Sequence, residues 1–496
     1  MPRSISRAPL FALLLAALAA CAPAVRSAPT PSGPVAAGLD ALFSDSAFQH
    51  AHWGVVVRSL ESGRTLYERN AEKLFMPASN MKLVTGAVAL EVLGPDYRWR
   101  TDVGAAGRIS GGVLHGDLVV RGSGDPAISG RFAPGGDVRN LFRAWADSLR
   151  AHGVQRISGA IVGVDTAFTT QPLGYGWSWS DLDYYYSAGV TALLLNEGNI
   201  RLRVYPAKQV GSPGIVVLEP ATQYVRVVNE TRTVAAGERA SLDYALEPVG
   251  TGLVVRGQVP MDGALTDSAA VREPSRYFVS VLRETLREAG IAVDGPAVVL
   301  GDRGEGEDPA AGRFLPLFTH HSPPLAEILP ALEKPSQNQI AEAMLKTLGR
   351  AKGGSGTARA GAAVVDSALT AWGIETGNRL IVRDGSGLSR YNYIAPGLLA
   401  DLLTHMAKSP NFDVWHAALP IAGVDGTLRS RMRGTALADN VHAKTGTIAN
   451  TRSLSGYVTT ASGERLVFSM LVNNSALAAR DADRLTEAAL ARIIER

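Results

Sequence analysis

The chain has 496 residues, 46% hydrophobic and 19% charged, enough to fill roughly two or three cores and without a disordered bias. Its 49 basic and 46 acidic residues nearly cancel to a net charge of +3, with no basic run or aromatic-basic interleaving, which argues against nucleic-acid binding. The single cysteine, Cys21, excludes intrachain disulfides and any cysteine metal cluster.

In chain order, Arg3 and Arg7 precede the apolar run Leu10 to Ala20, which has the charge pattern and length of a secretory signal and is short for a membrane span. Residues 1–20 are therefore expected to be a signal peptide. Leu18-Ala19-Ala20-Cys21 resembles a bacterial lipobox, which implies cleavage before Cys21 and lipid attachment to it. An ordinary signal cleaved at a small-residue site around Ala20-Cys21-Ala22 is the alternative. Ala22 and Pro23 offer no acidic retention signal, which favours an outer-membrane or cell-surface anchor. Residues 21–37, rich in Ala, Pro and Ser, read as a tether.

Folding is expected to begin near Gly38, with a first stretch of catalytic domain over 38–96. Trp53 to Leu60, the turn Glu61-Ser62-Gly63 and Arg64 to Glu68 predict a hairpin. Met81 to Leu93, closed by Gly94-Pro95, predicts a buried helix opened by Ser79. Ser79 then lies where backbone N–H groups and the helix dipole favour developing negative charge. Lys82, three residues on, shares its face. From about Tyr97 to Phe314 the texture changes to short strands punctuated by Val and Gly, with one clear helix, Pro274 to Ala289. This predicts an insertion, 97–198 and 263–314, around a nested β-rich domain at 199–262. The catalytic domain is expected to resume over 315–496.

Near the C-terminus, Val441 to Ile448, Leu454 to Thr459 and Arg465 to Asn473 read as three neighbouring antiparallel strands. The 53–68 hairpin should join their sheet, and a final helix from about Ala476, capped by Ser475, should cover it. Gly446 would let a substrate backbone lie close to the first strand.

Three short motifs lie on these elements: Ser79-Asn80-Met81-Lys82, Ser336-Gln337-Asn338 and Lys444-Thr445-Gly446-Thr447. In order and context they match the S-x-x-K, S-x-N and K-T-G elements of serine acyl-transferases of the penicillin-binding and β-lactamase type. Arg121-Gly122-Ser123-Gly124-Asp125-Pro126, Asp384-Gly385-Ser386-Gly387-Leu388-Ser389-Arg390 and Gly423-Val424-Asp425-Gly426-Thr427-Leu428 extend the likeness. The chain resembles the penicillin-binding protein 4-type D-alanyl-D-alanine carboxypeptidases/endopeptidases, the low-molecular-mass class C penicillin-binding proteins, across almost its whole mature length. Ser79 and Ser336 are 257 positions apart, an insertion for which a β-lactamase has no room.

The resemblance implies an α/β (α+β) serine transpeptidase/β-lactamase-like domain, an antiparallel sheet flanked by helices, with the insertion described. It also implies a serine-type D-Ala-D-Ala carboxypeptidase acting on peptidoglycan stem peptides in the periplasm or cell envelope and acylated by β-lactams, with no cofactor. Ser79 would attack an amide carbonyl, Lys82 would act as base, and Ser336 with Asn338 would hold the Lys82 amine and relay a proton to the leaving amine. Lys444, Thr445, Gly446 and Thr447 would bind the substrate, the first through its terminal carboxylate. Backbone N–H groups of Ser79 and Thr447 would form an oxyanion hole.

Asp384, Ser386, Asp425 and Thr427 belong to loops that either brace the cleft or touch substrate, and Asp125 and Asp165 are candidates for supporting roles. His320-His321 points apart on a strand and no carboxylate spacing supports a metal, so none is expected. His442 reads as packing, and the aromatic group Tyr175, Trp177, Trp179 and Tyr184 to Tyr186 as packing with a part facing the cleft mouth. The alternatives are a β-lactamase-like hydrolase, which lacks support from any Glu-x-x-Leu-Asn motif, and a low-turnover wall-binding lipoprotein.

Overall fold

A computed structural model describes residues 34–168, 171–300 and 314–496. The expected signal peptide, Cys21 and most of the expected tether lie outside the described residues. The first helix, α1 (Pro34–Phe43), starts inside the segment expected to be tether. Pro34 occupies the first helical position, where its missing N–H costs nothing, and Ala36, Leu39 and Phe43 are buried. Strands β1 (His52–Ser59) and β2 (Thr65–Arg69) form the hairpin. A 3-10 turn, Ala78–Asn80, runs into α2 (Met81–Leu93), whose residues Met81 to Leu90 are all buried. A helix apolar on every side belongs in a core, and this one makes the two polar exceptions, Lys82 and Thr85, conspicuous.

The inserted region carries β3 (Arg100–Ser110), β4 (Val113–Gly122), α3 (Val138–Ala151), β5 (Arg156–Ile157) and β6 (Ile161–Val164). The strands β7 (Asn199–Tyr205), β8 (Ile215–Glu219), β9 (Arg226–Val234), β10 (Ser241–Leu246), β11 (Gly252–Pro260) and β12 (Leu265–Ala270) follow. Then come α4 (Pro274–Glu288), β13 (Ala292–Val293), β14 (Ala297–Val299) and β15 (Phe314–His321). Two three-stranded sheets, β10-β11-β9 and β12-β7-β8, make up the β-rich part. Because β12 pairs with β7, this part runs past residue 262, the end expected for it. Leu202, Val204, Leu253 and Val255 also share one apolar cluster with Phe142, Tyr277 and Phe278, so the β-rich part has no core of its own. Its alternating strands turn one face to the helices of the larger insertion.

A second correction concerns the boundary at 315. Strand β15 pairs with β3 in the inserted seven-stranded sheet, so the catalytic part resumes only afterwards. It consists of α5 (Leu325–Glu333), α6 (Asn338–Lys352), α7 (Ala358–Ala371), β16 (Leu380–Ile381), β17 (Tyr393–Ile394), α8 (Pro396–Met406) and α9 (Phe412–Ala418). Strands β18 (His442–Ile448), β19 (Thr451–Thr459) and β20 (Arg465–Asn473) and helix α10 (Ala479–Ile494) complete it.

The central sheet has the order β18-β19-β20-β1-β2 and is antiparallel throughout. Its pleat divides the side chains between two cores. Val56, Val467 and Leu471 pack with α2 and α5 to α9, whereas Val55, Val57, Phe468 and Met470 pack with α1 and α10. The last helix begins later than expected, at Ala479 with Ala478 at its cap, and Ser475 makes no cap there. Among the described residues no helix is long and apolar enough to cross a membrane.

Candidate active site

Ser79 sits on the 3-10 turn at the foot of α2, where the backbone is forced into an uncommon shape. Ala78 has φ 47°, a left-handed conformation that costs a non-glycine residue energy and persists only where its surroundings fix it. They do so here. Asn80 Nδ2 donates to Lys444 O (2.8 Å), Ser453 Oγ donates to Pro77 O (2.7 Å), and Asn473 accepts from Met76 N (2.7 Å). Gly387, itself at φ 85°, leaves room for Ala78 O, into which a Cβ would collide. Gly446 serves the same purpose from the sheet side, since a Cβ there would meet Ser453 Oγ and lie 2.8 Å from Pro77 O and 3.0 Å from Ser79 N. Gly446 therefore allows the close approach of β18 to the Ser79 turn.

Lys82, the second residue of α2 and one turn past Ser79, is fully buried. Its Nζ donates to Ser79 Oγ (3.0 Å), Asn338 Oδ1 (2.6 Å) and Ser386 O (2.7 Å). Desolvation, and then the nearby Lys444 charge, push this amine down to about 7. A neutral amine has two hydrogens and a lone pair. With Asn338 Oδ1 and Ser386 O taking the hydrogens, the lone pair is left for the Ser79 hydroxyl.

Lys444, also fully buried, donates to Ser336 Oγ (2.8 Å) and to Thr445 O (3.0 Å), and burial lowers it to about 8. Ser336 was expected beside Lys82 with Asn338. Its Oγ accepts from Lys444, and its backbone sits at φ 63°, two residues before α6 begins at Asn338. Thr445 Oγ1 donates to Thr427 Oγ1 (2.7 Å), and Thr447 is exposed at the mouth. Ser79, Ser336, Asn338, Thr427, Thr445 and Thr447 line one cleft of about 720 Å³, with Arg131, Tyr185, Tyr186 and Arg390 around it.

The remaining candidates divide clearly. Asp384 is fully buried and accepts from Gly387 N, Ser389 N, Asn392 Nδ2 and Trp177 Nε1, so it braces the loop that presents Ser386 O to Lys82. Asp425 pairs with Lys334 (2.6 Å) and accepts from Ile421 N, which ties its loop to α5. Asp125 is buried with Oδ2 lacking a hydrogen-bond partner, and burial raises it to about 7; His320 Nε2 stands 3.6 Å away. Asp165 accepts from Ser275 Oγ (2.5 Å) in the insertion. His442 stacks on His416 at 4.0 Å. No group of His, Cys, Asp or Glu among the described residues could hold a metal ion.

Sequence reasoning missed several groups. Glu333, the last residue of α5, is fully buried with both carboxylate oxygens unpartnered, and desolvation raises it to about 7 against the pull of Lys444 and Lys82. A carboxylate ending the apolar run Ile328 to Leu332, three residues before Ser336, was the available signal. Glu342 on α6 accepts from Gly385 N and Ser386 N. Tyr186 O accepts from Asn338 Nδ2 (2.7 Å), so part of the aromatic segment fixes a motif residue.

A helix-flanked antiparallel sheet with a serine-lysine pair at the foot of its buried helix and a second lysine on its edge strand defines the serine transpeptidase/β-lactamase-like class. The D-Ala-D-Ala carboxypeptidase 3 (S13) family profile matches residues 35–495, and the chain belongs to this family. A D-alanyl-D-alanine carboxypeptidase of Actinomadura sp. strain R39 is 37% identical over 449 residues, covering 88% of this chain and 80% of that protein. The D-alanyl-D-alanine carboxypeptidase DacB of Haemophilus influenzae is 27% identical over 432 residues, 85% of each chain. The crystal structure of penicillin binding protein 4 from H. influenzae shares the fold, with TM-score 0.77 at 24% identity over 93% of this chain and 100% of that one.

Proposed function

We propose that this member of the D-Ala-D-Ala carboxypeptidase family works through an acyl-enzyme on Ser79, removing the terminal D-Ala of peptidoglycan stem peptides and also opening cross-links as a DD-endopeptidase. The observation that carries this reading is the environment of Lys82, a buried amine lowered to about 7 with Ser79 Oγ at 3.0 Å. Neutral Lys82 takes the Ser79 proton as Oγ bonds to the penultimate carbonyl carbon. The oxyanion lies between the N–H groups of Ser79 and Thr447, donors of a kind worth ~3–4 kcal/mol each. As the C–N bond breaks, the proton held by Lys82 is relayed through the Ser336 hydroxyl to the leaving amine, which leaves Lys82 neutral and Ser336 unchanged. D-Ala departs, water then attacks the ester with Lys82 again as base, and the shortened peptide leaves. Protonated Lys444, with Thr445 and Thr447, holds the terminal carboxylate. A β-lactam enters the same path and stalls at the acyl-enzyme.

The N-terminal pattern supports a cell-envelope location for this chemistry, with lipid on Cys21 as the membrane anchor. Ser79→Ala should abolish both covalent labelling by a fluorescent penicillin and release of D-Ala from a peptide ending in D-Ala-D-Ala, with an unchanged circular dichroism spectrum. Unchanged labelling would remove Ser79 from its role. Intact mass followed after penicillin addition separates a stable acyl-enzyme from the rapid release of a β-lactamase-like hydrolase.

A further inference from the structure

Beside the cleft lies a second groove, larger at about 1060 Å³, which no step of the reaction uses. Arg201 and Arg203 of β7, Glu219 of β8 and Asp267 of β12 line it, all from the inserted region. The wall between groove and cleft consists of Arg131, Tyr185 and Gln337, which line both. Two of these meet on one carboxylate. Gln337 Nε2 donates to Glu197 Oε2 (3.0 Å) and Arg131 Nε to Glu197 Oε1 (3.0 Å). Gln337 is the middle residue of Ser336-Gln337-Asn338, so the motif that contacts both site lysines also forms part of the groove.

Several features suit the groove to a ligand. Ser129 and Asn199 line it, are 2% and 8% exposed, and each has a polar atom, Oγ and Oδ1, without a hydrogen-bond partner. Its arginines are held by ion pairs with Arg203 Nε 2.8 Å and Arg201 Nη1 3.6 Å from Glu219. Such part-exposed pairs are weak and exchange readily for a ligand's charges. The lining alternates in sign, which repels a uniform polyanion at Glu197, Glu219 and Asp267. It accommodates a chain carrying carboxylates, amines and amides together.

We infer that this groove is a second substrate subsite that holds the partner arm of a cross-linked stem-peptide dimer while the cleft holds the bond to be cut. The inference rests on the peptidoglycan reading above. The reacting dipeptide lies at Ser79 in the cleft, and a cross-linked substrate has a second peptide that extends away from it; the Arg131-Glu197-Gln337 wall, shared by cleft and groove, is where that arm crosses.

The test uses a purified cross-linked stem-peptide dimer and the matching uncross-linked pentapeptide. Ser79→Ala should bind the dimer about fivefold or more tightly than the monomer, and Arg203→Glu or Asp267→Lys in that background should erase the difference. In the otherwise native enzyme the same two substitutions should lower kcat/KM for the dimer and change it for the monomer less than about twofold. Equal affinity for dimer and monomer, or equal loss on both, overturns the subsite. A native enzyme that cuts neither peptide while Ser79→Ala still prefers the dimer refutes the proposed function and leaves the groove standing as a binding site.

Discussion

Lys82, Lys444 and Glu333 are buried together behind Ser79, and groups this close titrate as a set. Gly86, one turn past Lys82 on α2, leaves the space Glu333 occupies, since a Cβ there would lie 2.7 Å from Oε1. Acylation needs Lys82 neutral, so its rate should rise with pH through about 7. Carboxylate recognition needs Lys444 protonated and should fall above about 8, which makes kcat/KM for a D-Ala-D-Ala peptide bell-shaped. The Glu333 charge raises the pKa of both amines. Glu333→Gln removes that charge while keeping the shape, so both limbs should move to lower pH. The alkaline limb should move more, because Glu333, itself near 7, is ionised there. A bell that stays in place would show that the carboxylate is a passive core group. At this scale the sequence marks the residues proposed to react and is silent about those proposed to tune them. Ser79, Lys82, Asn338 and Lys444 stand in recognisable spacings, whereas Glu333 and Glu342 act through burial, which depends on partners distant in the chain.

Elements were easiest to read where hydrophobic pattern and turn residues agreed. Helix α2, the 53–68 hairpin and strands β18 to β20 all lie where their periodicity put them. Strand β15 was recognisable as a strand but not as a partner of β3, because period-two alternation says nothing about which edge a strand joins. The shift of the α10 start from Ala476 to Ala479 has a similar origin: a serine is a local cap signal, and Ser475 N is used instead to bond Asn450 O. Gly446 is the element-level position with the sharpest consequence, for β18 and the Ser79 turn touch there. Gly446→Ala should displace Ser79 N or open the strand, and a misplacement near 1 Å can cost about 100-fold in rate. We expect penicillin acylation to slow by about 10-fold or more with secondary structure intact. Adding Ser453→Ala removes the nearest obstacle and should restore part of the rate; full activity in the single variant would mean that the turn yields freely.

At the scale of the whole molecule, the insertion is fastened to the catalytic part in large measure through its backbone carbonyls. Gln339 Nε2 reaches Tyr185 O and Ala188 O, Lys346 Nζ reaches Val190 O, and Asn338 Nδ2 reaches Tyr186 O. Carbonyl acceptors leave no mark in a sequence, so this seam was invisible there although both sides of it were delimited approximately. The seam also fixes where the molecule is free to be tethered. Helix α1 packs against the sheet face opposite α2, since Leu39 and Phe43 share a core with Trp53 and Phe468, separate from the core around Leu83 and Val84. An anchor preceding α1 therefore joins the molecule on the far side of the sheet from α2. Lipid on Cys21 would hold the enzyme at a membrane without any part of the described fold entering the bilayer. Cys21→Ser should then move the protein from the detergent phase to the aqueous phase while its labelling by fluorescent penicillin stays at the native rate. Diacylglycerol on one cysteine supplies the two chains that stable anchoring needs, so the redistribution should be nearly complete. Mass spectrometry of the mature N-terminus gives the decisive comparison: a native protein that begins after Cys21 and carries no lipid would replace the anchored enzyme with a secreted one, leaving the chemistry at Ser79 untouched.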